Sequence, residues 1–303
     1  MTAFNSCLPN FIVPGAARSG TTSLFYYLGQ HPQIHIPKKE CRFFSRMTRD
    51  YTGPGDDAFN RTITRDLDQY RALYGSKPMK TAVGDISPDY LYYYEQSIPY
   101  IKEVLGDTRI MIILRNPVER AFSQYLYFTS MGRETLSFEE ALCQEGGRKE
   151  KNYEWAWYYQ DVSFYYKQVK AYMDSFCNIR IYLLEDLEKD PLTVLKDMFS
   201  FLEVDNTFVP EANVKYNTAG RITCNRALFY KMFCCMSMCV PFFRYIWPLE
   251  NYHTFYPQFL EKCKDRSSLP VISTESREHL KRLYRQEIIM LQELIKRDLS
   301  SWL

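Results

Sequence analysis

Residues 13–28 read VPGAARSGTTSLFYYL, and no other stretch restricts the fold as much. The apolar run Phe11–Val13 feeds two glycines, Gly15 and Gly20, and a hydroxyl-rich segment that continues as a helix stopping near Gly29 and Pro32. A strand that turns through a glycine loop into a helix is half of a βαβ unit, which requires a parallel partner in the same sheet. The clearest partner is RIMIILRNP, where Ile110 to Leu114 is continuously apolar, as in a strand buried on both faces. Shorter strands are expected in QIHIP (33–37), in KTAVGDISPDYL from Thr81 until Ser87-Pro88 breaks it, and in NIRIYLLEDLEKDP (178–191). Helices follow in VERAFSQYLYF and in SFEEAL, which opens with a capping box from Ser137 to Glu140. Apolar residues at Leu280, Leu283, Ile288, Leu291, Leu294, Ile295 and Leu299 predict an amphipathic C-terminal helix over 274–299. No linker-like stretch divides the chain, so 1–303 reads as a single α/β domain with a mostly parallel central sheet and helices on both faces.

The loop over 13–24 has the glycine spacing of a P-loop, G-x-x-x-x-G, in the right strand–loop–helix context. Where that loop carries lysine, however, this chain has Thr21-Thr22, and its basic residue is Arg18, inside the turn. Amides at the helix start, with the hydroxyls of Ser19, Thr21, Thr22 and Ser23 beside Gly20, still form an anion cradle. At the end of the apolar strand, where a nucleotide triphosphatase places an aspartate for Mg²⁺, stands Arg115. A cation there rejects Mg²⁺ and invites a second anion, and Ser123 on the next helix is positioned to help, within a motif over 112–124. The bland reading of Arg115 is a pair with Glu119. Two anion seats without Walker lysine or aspartate fit a nucleotide phosphorylated at both 5′ and 3′ positions. 3′-Phosphoadenosine 5′-phosphosulfate is such a molecule, and no metal is required to hold it.

These segments resemble the sulfotransferases. PGAARSGTTSL resembles their 5′-phosphosulfate loop, and ILRNPVERAFSQY resembles their 3′-phosphate motif, which implies that Arg115 and Ser123 hold the 3′-phosphate. HPQIHIPKKECRFF, GDISPDYL, YNTAGR and the ending LSSWL are similar to the carbohydrate branch, the heparan-sulfate-type enzymes and their bacterial relatives. The resemblance covers nearly the whole chain. It departs at Arg18, where lysine is usual, at Ile86, where a lysine often precedes the serine, and at Arg42, where heparan-type enzymes often carry histidine.

The resemblance implies sulfuryl transfer to a hydroxyl of a carbohydrate or small-molecule acceptor, with Glu40 as general base and Arg18 neutralising the leaving 5′-phosphate. Glu40 can also be read as an ion-pair partner of Lys38, Lys39 or Arg42. Asp85 is expected to orient acceptor or base, or else to cap a helix. His35 is the rival base, whereas His31, in the GQHP turn, and His279 are expected at the surface. Lys215 and Arg221 flank YNTAG and are expected to close over the nucleotide, unless they belong to a mobile surface loop. The aromatic, cysteine-rich segment 229–256 reads as core packing, an acceptor-side wall or a partner or membrane-surface contact.

Composition narrows the partners. With 38 Lys+Arg against 36 Asp+Glu the net charge is +2, without the basic stripe of a nucleic-acid binder. Nine cysteines, of which Cys234, Cys235 and Cys239 lie closest together, form no disulfide or zinc spacing and fit a reducing compartment. The N-terminus lacks a signal-peptide pattern and the run Met232–Pro248 is too short and too polar to span a bilayer, so a cytoplasmic protein is expected. The rival functions are a P-loop kinase and a nucleotide-binding protein that has lost catalysis. Nothing in the sequence specifies the oligomeric state.

Overall fold

The computed structural model describes residues 8–75, 80–212, 216, 221–222, 264–265 and 269–303, with backbone alone at 221–222 and 264–265. From the N-terminus come β1 (Phe11–Gly15), α1 (Thr21–Gly29), β2 (Ile34–His35), α2 (Asp56–Asn60), α3 (Leu67–Tyr74) and β3 (Ala82–Ile86). Next are α4 (Asp89–Tyr92), α5 (Tyr94–Leu105), β4 (Arg109–Leu114), α6 (Pro117–Ser130), α7 (Phe138–Cys143) and α8 (Glu145–Glu150). Then follow α9 (Tyr165–Ser175), β5 (Ile179–Leu183), α10 (Leu184–Lys189), α11 (Pro191–Phe201), β6 (Arg221–Ile222), β7 (Lys264–Asp265) and α12 (Thr274–Ile295).

The central sheet has five strands in the order β2-β3-β1-β4-β5, every pairing parallel. Alternation along the strands sorts the core into two layers. Phe11, Val13, Met111 and Ile113 face α1 and α11, packing with Leu24, Leu28, Leu195 and Phe199. Ile12, Ile110, Ile112 and Leu114 face the other way, with Val118 and Ala121 of α6, Val169 of α9 and Leu280 and Tyr284 of α12. Ile110 to Leu114 are each 0% exposed, so every one contributes its full burial, about 1.5–3 kcal/mol. β6 and β7 make a separate antiparallel pair.

Close packing decides residue type at Gly84. A Cβ there would lie 2.1 Å from Cζ of Phe11, its partner across β1. Arg120, fully buried on α6, donates to Ser163 Oγ at 2.5 Å and to the Tyr159 carbonyl at 2.5 Å, fixing the helix that carries Ser123. The capping box at Ser137–Glu140 forms with both of its bonds.

Two expectations are corrected. α12 ends at Ile295 rather than 299, because Lys296 turns left-handed (φ 56) and Gln292 Oε1 accepts the Leu299 amide at 2.8 Å. His31 is buried at 1% exposure, not at the surface. Its Nδ1 accepts from the Gln33 amide at 3.1 Å, so Nε2–H donates to the Asp205 carbonyl at 2.9 Å, and Phe199 and Phe208 flank the ring. His279 is exposed on α12, as expected.

Candidate active site

The loop after β1 is shaped by its last glycine. Gly20 is left-handed (φ 90), and a Cβ on it would lie 2.8 Å from Leu184 Cδ1. As N-cap of α1 it has no side chain to satisfy the first amides, which leaves the N-terminal turn at Thr21, Thr22 and Ser23 to face an anion. Arg18 is also left-handed (φ 62), an unusual conformation for a long side chain. Its guanidinium lies over the Tyr127 ring, 4.5 Å from the centroid, and Nε donates to Ser123 Oγ at 3.3 Å. Burial pulls Arg18 down to about 10, opposed by Tyr127 and reinforced by Arg115 and Arg120, and it stays cationic at neutral pH.

Arg115 follows β4, and its Nη1 donates to the Arg18 carbonyl at 3.1 Å. The alternative pair with Glu119 does not form, because Glu119 binds Arg277 of α12. Among the described residues no carboxylate lies within ion-pair distance of Arg115. α6 starts at Pro117, capped by Asn116 Oδ1, and this phase brings Ser123 to the cleft wall beside Arg18.

Glu40 enters from the other side. Lys39 bridges to Ile86 at the end of β3, and the Glu40 amide donates to the Ile86 carbonyl at 2.9 Å. Glu40 and Arg42 are both left-handed (φ 60 and 55), which folds the segment so that Lys39 and Arg42 each contact the Glu40 carboxylate. Burial pushes that carboxyl up, but Lys39 and Arg42 outweigh it and hold it at about 2. The ion-pair reading of Glu40 thus describes its resting contacts with Lys39 and Arg42, while Lys38 instead donates to the Thr62 carbonyl at 3.2 Å.

Arg18, Gly20, Thr21, Thr22, Ser23, Arg115 and Ser123 line the same cleft as Glu40, and its volume is about 1010 Å³. Three expected residues sit elsewhere. The Ser19 side chain is fully buried beneath the loop near Tyr165, so only its backbone can serve the cradle. Asp85 is fully buried behind the wall, where it accepts from Ser87 Oγ (2.6 Å), Tyr90 OH (2.8 Å) and Tyr70 OH (2.9 Å) and caps no helix. Ser87 Oγ in turn accepts the Arg42 amide at 3.2 Å, so Asp85 is linked to the Glu40 segment through Ser87 and the Arg42 backbone and does not itself line the cleft. His35 is on β2 and not in the cleft wall. Lys215, His253, the cysteines 234, 235 and 239, and segment 229–256 lie outside the described residues, as does the side chain of Arg221.

The sequence reading missed Tyr127 and a second charged group. Tyr127 lies four residues after Ser123 on one helix face, a spacing that could have revealed it. Arg133, on the same cleft wall, pairs with buried Asp56 and with Glu154 Oε1 at 3.1 Å, contacts between segments far apart in sequence.

A model of the sulfotransferase family matches residues 9–208. The chain belongs to the sulfotransferase family. A solved bacterial member, a sulfotransferase from Alicyclobacillus acidocaldarius, is 33% identical, with a TM-score of 0.75 over 97% of this chain and 98% of that one. The membrane-associated sulfotransferase kil1 of Dictyostelium discoideum is 38% identical over 39% of this chain and 23% of its own length. Carbohydrate sulfotransferase 15 of Mus musculus is 26% identical over 46% of this chain and 30% of its own. The chain thus spans less than a third of these two curated relatives. Among its described residues, no helix is long and apolar enough to cross a membrane, and no three His, Cys, Asp or Glu cluster as for a metal.

Proposed function

We propose that this chain transfers a sulfuryl group from 3′-phosphoadenosine 5′-phosphosulfate to a hydroxyl of a carbohydrate or small-molecule acceptor. The observation that carries the reading is a continuous row in one cleft: Arg115 bonded to Arg18, Arg18 beside Ser123, and Glu40 beyond. The residues fit the donor, since Arg115 carries no carboxylate partner among those described and the α1 amides face the same space. When bound, the donor supplies an activated sulfuryl group and a leaving 5′-phosphate.

In this reading Arg115 and Ser123 hold the 3′-phosphate, while the α1 amides and Arg18 bind the 5′-phosphate and neutralise charge as it leaves. Positioning and charge neutralisation do most of the work of an in-line transfer, as in phosphoryl transfer. Glu40 takes the acceptor proton. A carboxylate held at about 2 is a weak base, so Lys39 must turn from Glu40 toward the sulfuryl oxygens, which raises the carboxyl toward its ordinary range. Asp85 holds the loop through Ser87. A proposed cytoplasmic location is supported by the free thiols of Cys41, Cys143 and Cys177.

The clamp of Lys39 and Arg42 on Glu40 also favours a second reading, a nucleotide-binding protein without turnover. Calorimetry with 3′-phosphoadenosine 5′-phosphate, followed by radiosulfate transfer to an acceptor panel, separates the two. Binding with transfer supports the enzyme, and binding without transfer to any acceptor supports the second reading. Binding of Mg-ATP alone would instead make the loop a kinase loop.

A further inference from the structure

The turn that carries Glu40 has no glycine, yet Glu40, Arg42 and Arg46 all take left-handed backbone (φ 60, 55 and 48). What holds it is one short segment, Ile86 to Tyr90, to which it is fastened rung by rung. The Glu40 amide donates to the Ile86 carbonyl at 2.9 Å, the Arg42 amide to Ser87 Oγ at 3.2 Å and the Phe43 amide to Tyr90 OH at 2.9 Å. The last rung is Ser45 Oγ, which donates to Asp89 Oδ2 and lies 3.4 Å from the Arg42 carbonyl oxygen. Ser87 and Tyr90 are neutral hydroxyls oriented by Asp85, so Asp89 is the rung that brings a charge of its own.

Asp89 is fully buried and is not in the cleft wall, which its neighbour Pro88 joins. Its Oδ1 has no partner among the described residues. The cation that acts on it is Arg42, whose guanidinium already contacts the Glu40 carboxylate. Burial pushes the Asp89 carboxyl up to about 7 against the pull of Arg42 and Ser45, and the Glu40 charge adds to the rise. The other ionisable groups around it, Cys41 on the turn, Tyr51 beyond it, Tyr90 on α4 and Tyr172 on α9, are held protonated by burial. Arg42 for its part faces three carboxylates, Glu40 first, then Asp89 and Glu154. When ionised, Asp89 acts on Glu40 in two ways: it repels the negative charge there, and it draws on the same guanidinium. Both raise the proton affinity of Glu40.

Resting on the sulfuryl-transfer reading with Glu40 as base, we propose that Asp89 is a positioning residue of the reaction: through Ser45 it locks the turn that aims Glu40, and its carboxylate shares the Arg42 charge so that Glu40 stays basic enough to take the acceptor proton. It touches neither donor nor acceptor. The arrangement answers the half of the clamp that Lys39 does not. Lys39 turns to the sulfuryl oxygens, whereas Arg42 is held where it is by Thr62 Oγ1 at 2.8 Å and by the Phe59 ring beneath it.

The test measures radiosulfate transfer by the full chain to a panel of saccharides and nitrophenyl glycosides, with calorimetry of 3′-phosphoadenosine 5′-phosphate alongside. Wild-type kcat is expected to rise about five-fold from about pH 6 to about pH 8, as Asp89 loses its proton. Asp89→Asn should flatten that rise and lower kcat about ten-fold at the upper end, while KM and nucleotide affinity stay within about two-fold. Ser45→Ala is a milder change that removes a bond to the ionised carboxylate, so the midpoint of the rise should move up by about half a pH unit. Glu154 is also pushed up to about 7, which makes Glu154→Gln the control: it should keep the rise. A role confined to folding would lower activity without moving the profile. If Asp89→Asn loses nucleotide affinity through misfolding, the midpoint in Ser45→Ala decides. A flat wild-type profile, a rise that survives Asp89→Asn, an unmoved midpoint in Ser45→Ala, or a rise abolished by Glu154→Gln overturns the proposal. Failure of the wild type to bind the nucleotide, or to transfer sulfate to any acceptor, would remove the sulfuryl-transfer reading itself.

Discussion

Glu40 carries the most at the scale of single residues, because its neighbours oppose the role proposed for it. Glu40→Gln keeps the size of the side chain and removes the base. Turnover is expected to fall at least about 100-fold, with affinity for 3′-phosphoadenosine 5′-phosphate within about two-fold by calorimetry. The resting ion pairs have a separate signature. The Glu40 carboxyl is lowered from 4.5 to about 2, so its contribution to stability is present above pH 4.5 and lost as pH falls toward 2. The stability gap between wild type and Glu40→Gln should therefore narrow by about 2 kcal/mol from pH 6 to pH 3 in urea unfolding. A gap that holds constant would mean the pairs with Lys39 and Arg42 are not formed in solution. Arg18 gives a third residue-scale test. Lysine cannot stack on Tyr127 and bond Ser123 with the same fork, so Arg18→Lys should cost about ten-fold in nucleotide affinity. A large gain in sulfation by this variant would point to a site that has lost its proper residue.

Among the elements, β1 and β3 set the site because both connections that leave them enter the cleft: the anion loop after β1 and the Ser87–Pro88 turn after β3. Their contact depends on Gly84, over which the Phe11 ring lies. Gly84→Ala is expected to destabilise the chain by about 3 kcal/mol in urea unfolding. Adding Phe11→Leu should recover part of that loss, since the two side chains compete for one space. Equal and additive losses would mean that the strands do not meet there. α6 shows how an element converts sequence order into geometry. Asn116 and Pro117 fix its start, and that phase places Ser123 and Tyr127, one turn apart, against Arg18.

For the whole molecule the expected behaviour is that of a metal-independent nucleotide binder. At about 100 times its Kd, 3′-phosphoadenosine 5′-phosphate should stabilise the chain by about 2.7 kcal/mol and raise Tm by about 5 °C. EDTA should leave that shift unchanged, because Arg115 stands where a nucleotide triphosphatase has its Mg²⁺-binding aspartate and the loop carries its charge on Arg18. A shift seen only with Mg²⁺ would overturn the assignment of both arginines.

Much of this was legible in the chain. The strand–loop–helix at 11–29 and the apolar run at 110–114 require a parallel sheet, since each pattern is local and has one compatible structure. Arg18, Arg115, Ser123 and Glu40 could be named because their motifs are short and contiguous, and all four line one cleft. Where a side chain points, and what sits beside it, was decided only by tertiary packing. Ser19 turns into the protein, Asp85 lies behind the wall and His31 is buried against Phe199, because each is placed by neighbours far along the chain. The group of Asp56, Arg133 and Glu154 had no signal to read, for its members are 77 and 21 residues from one another and meet only when the loops fold over α6. Sequence determined the sheet and the chemistry of its loops through local periodicity and turn geometry. Only the folded chain, by bringing distant charges within bonding distance, decided which of them are paired and which face the cleft.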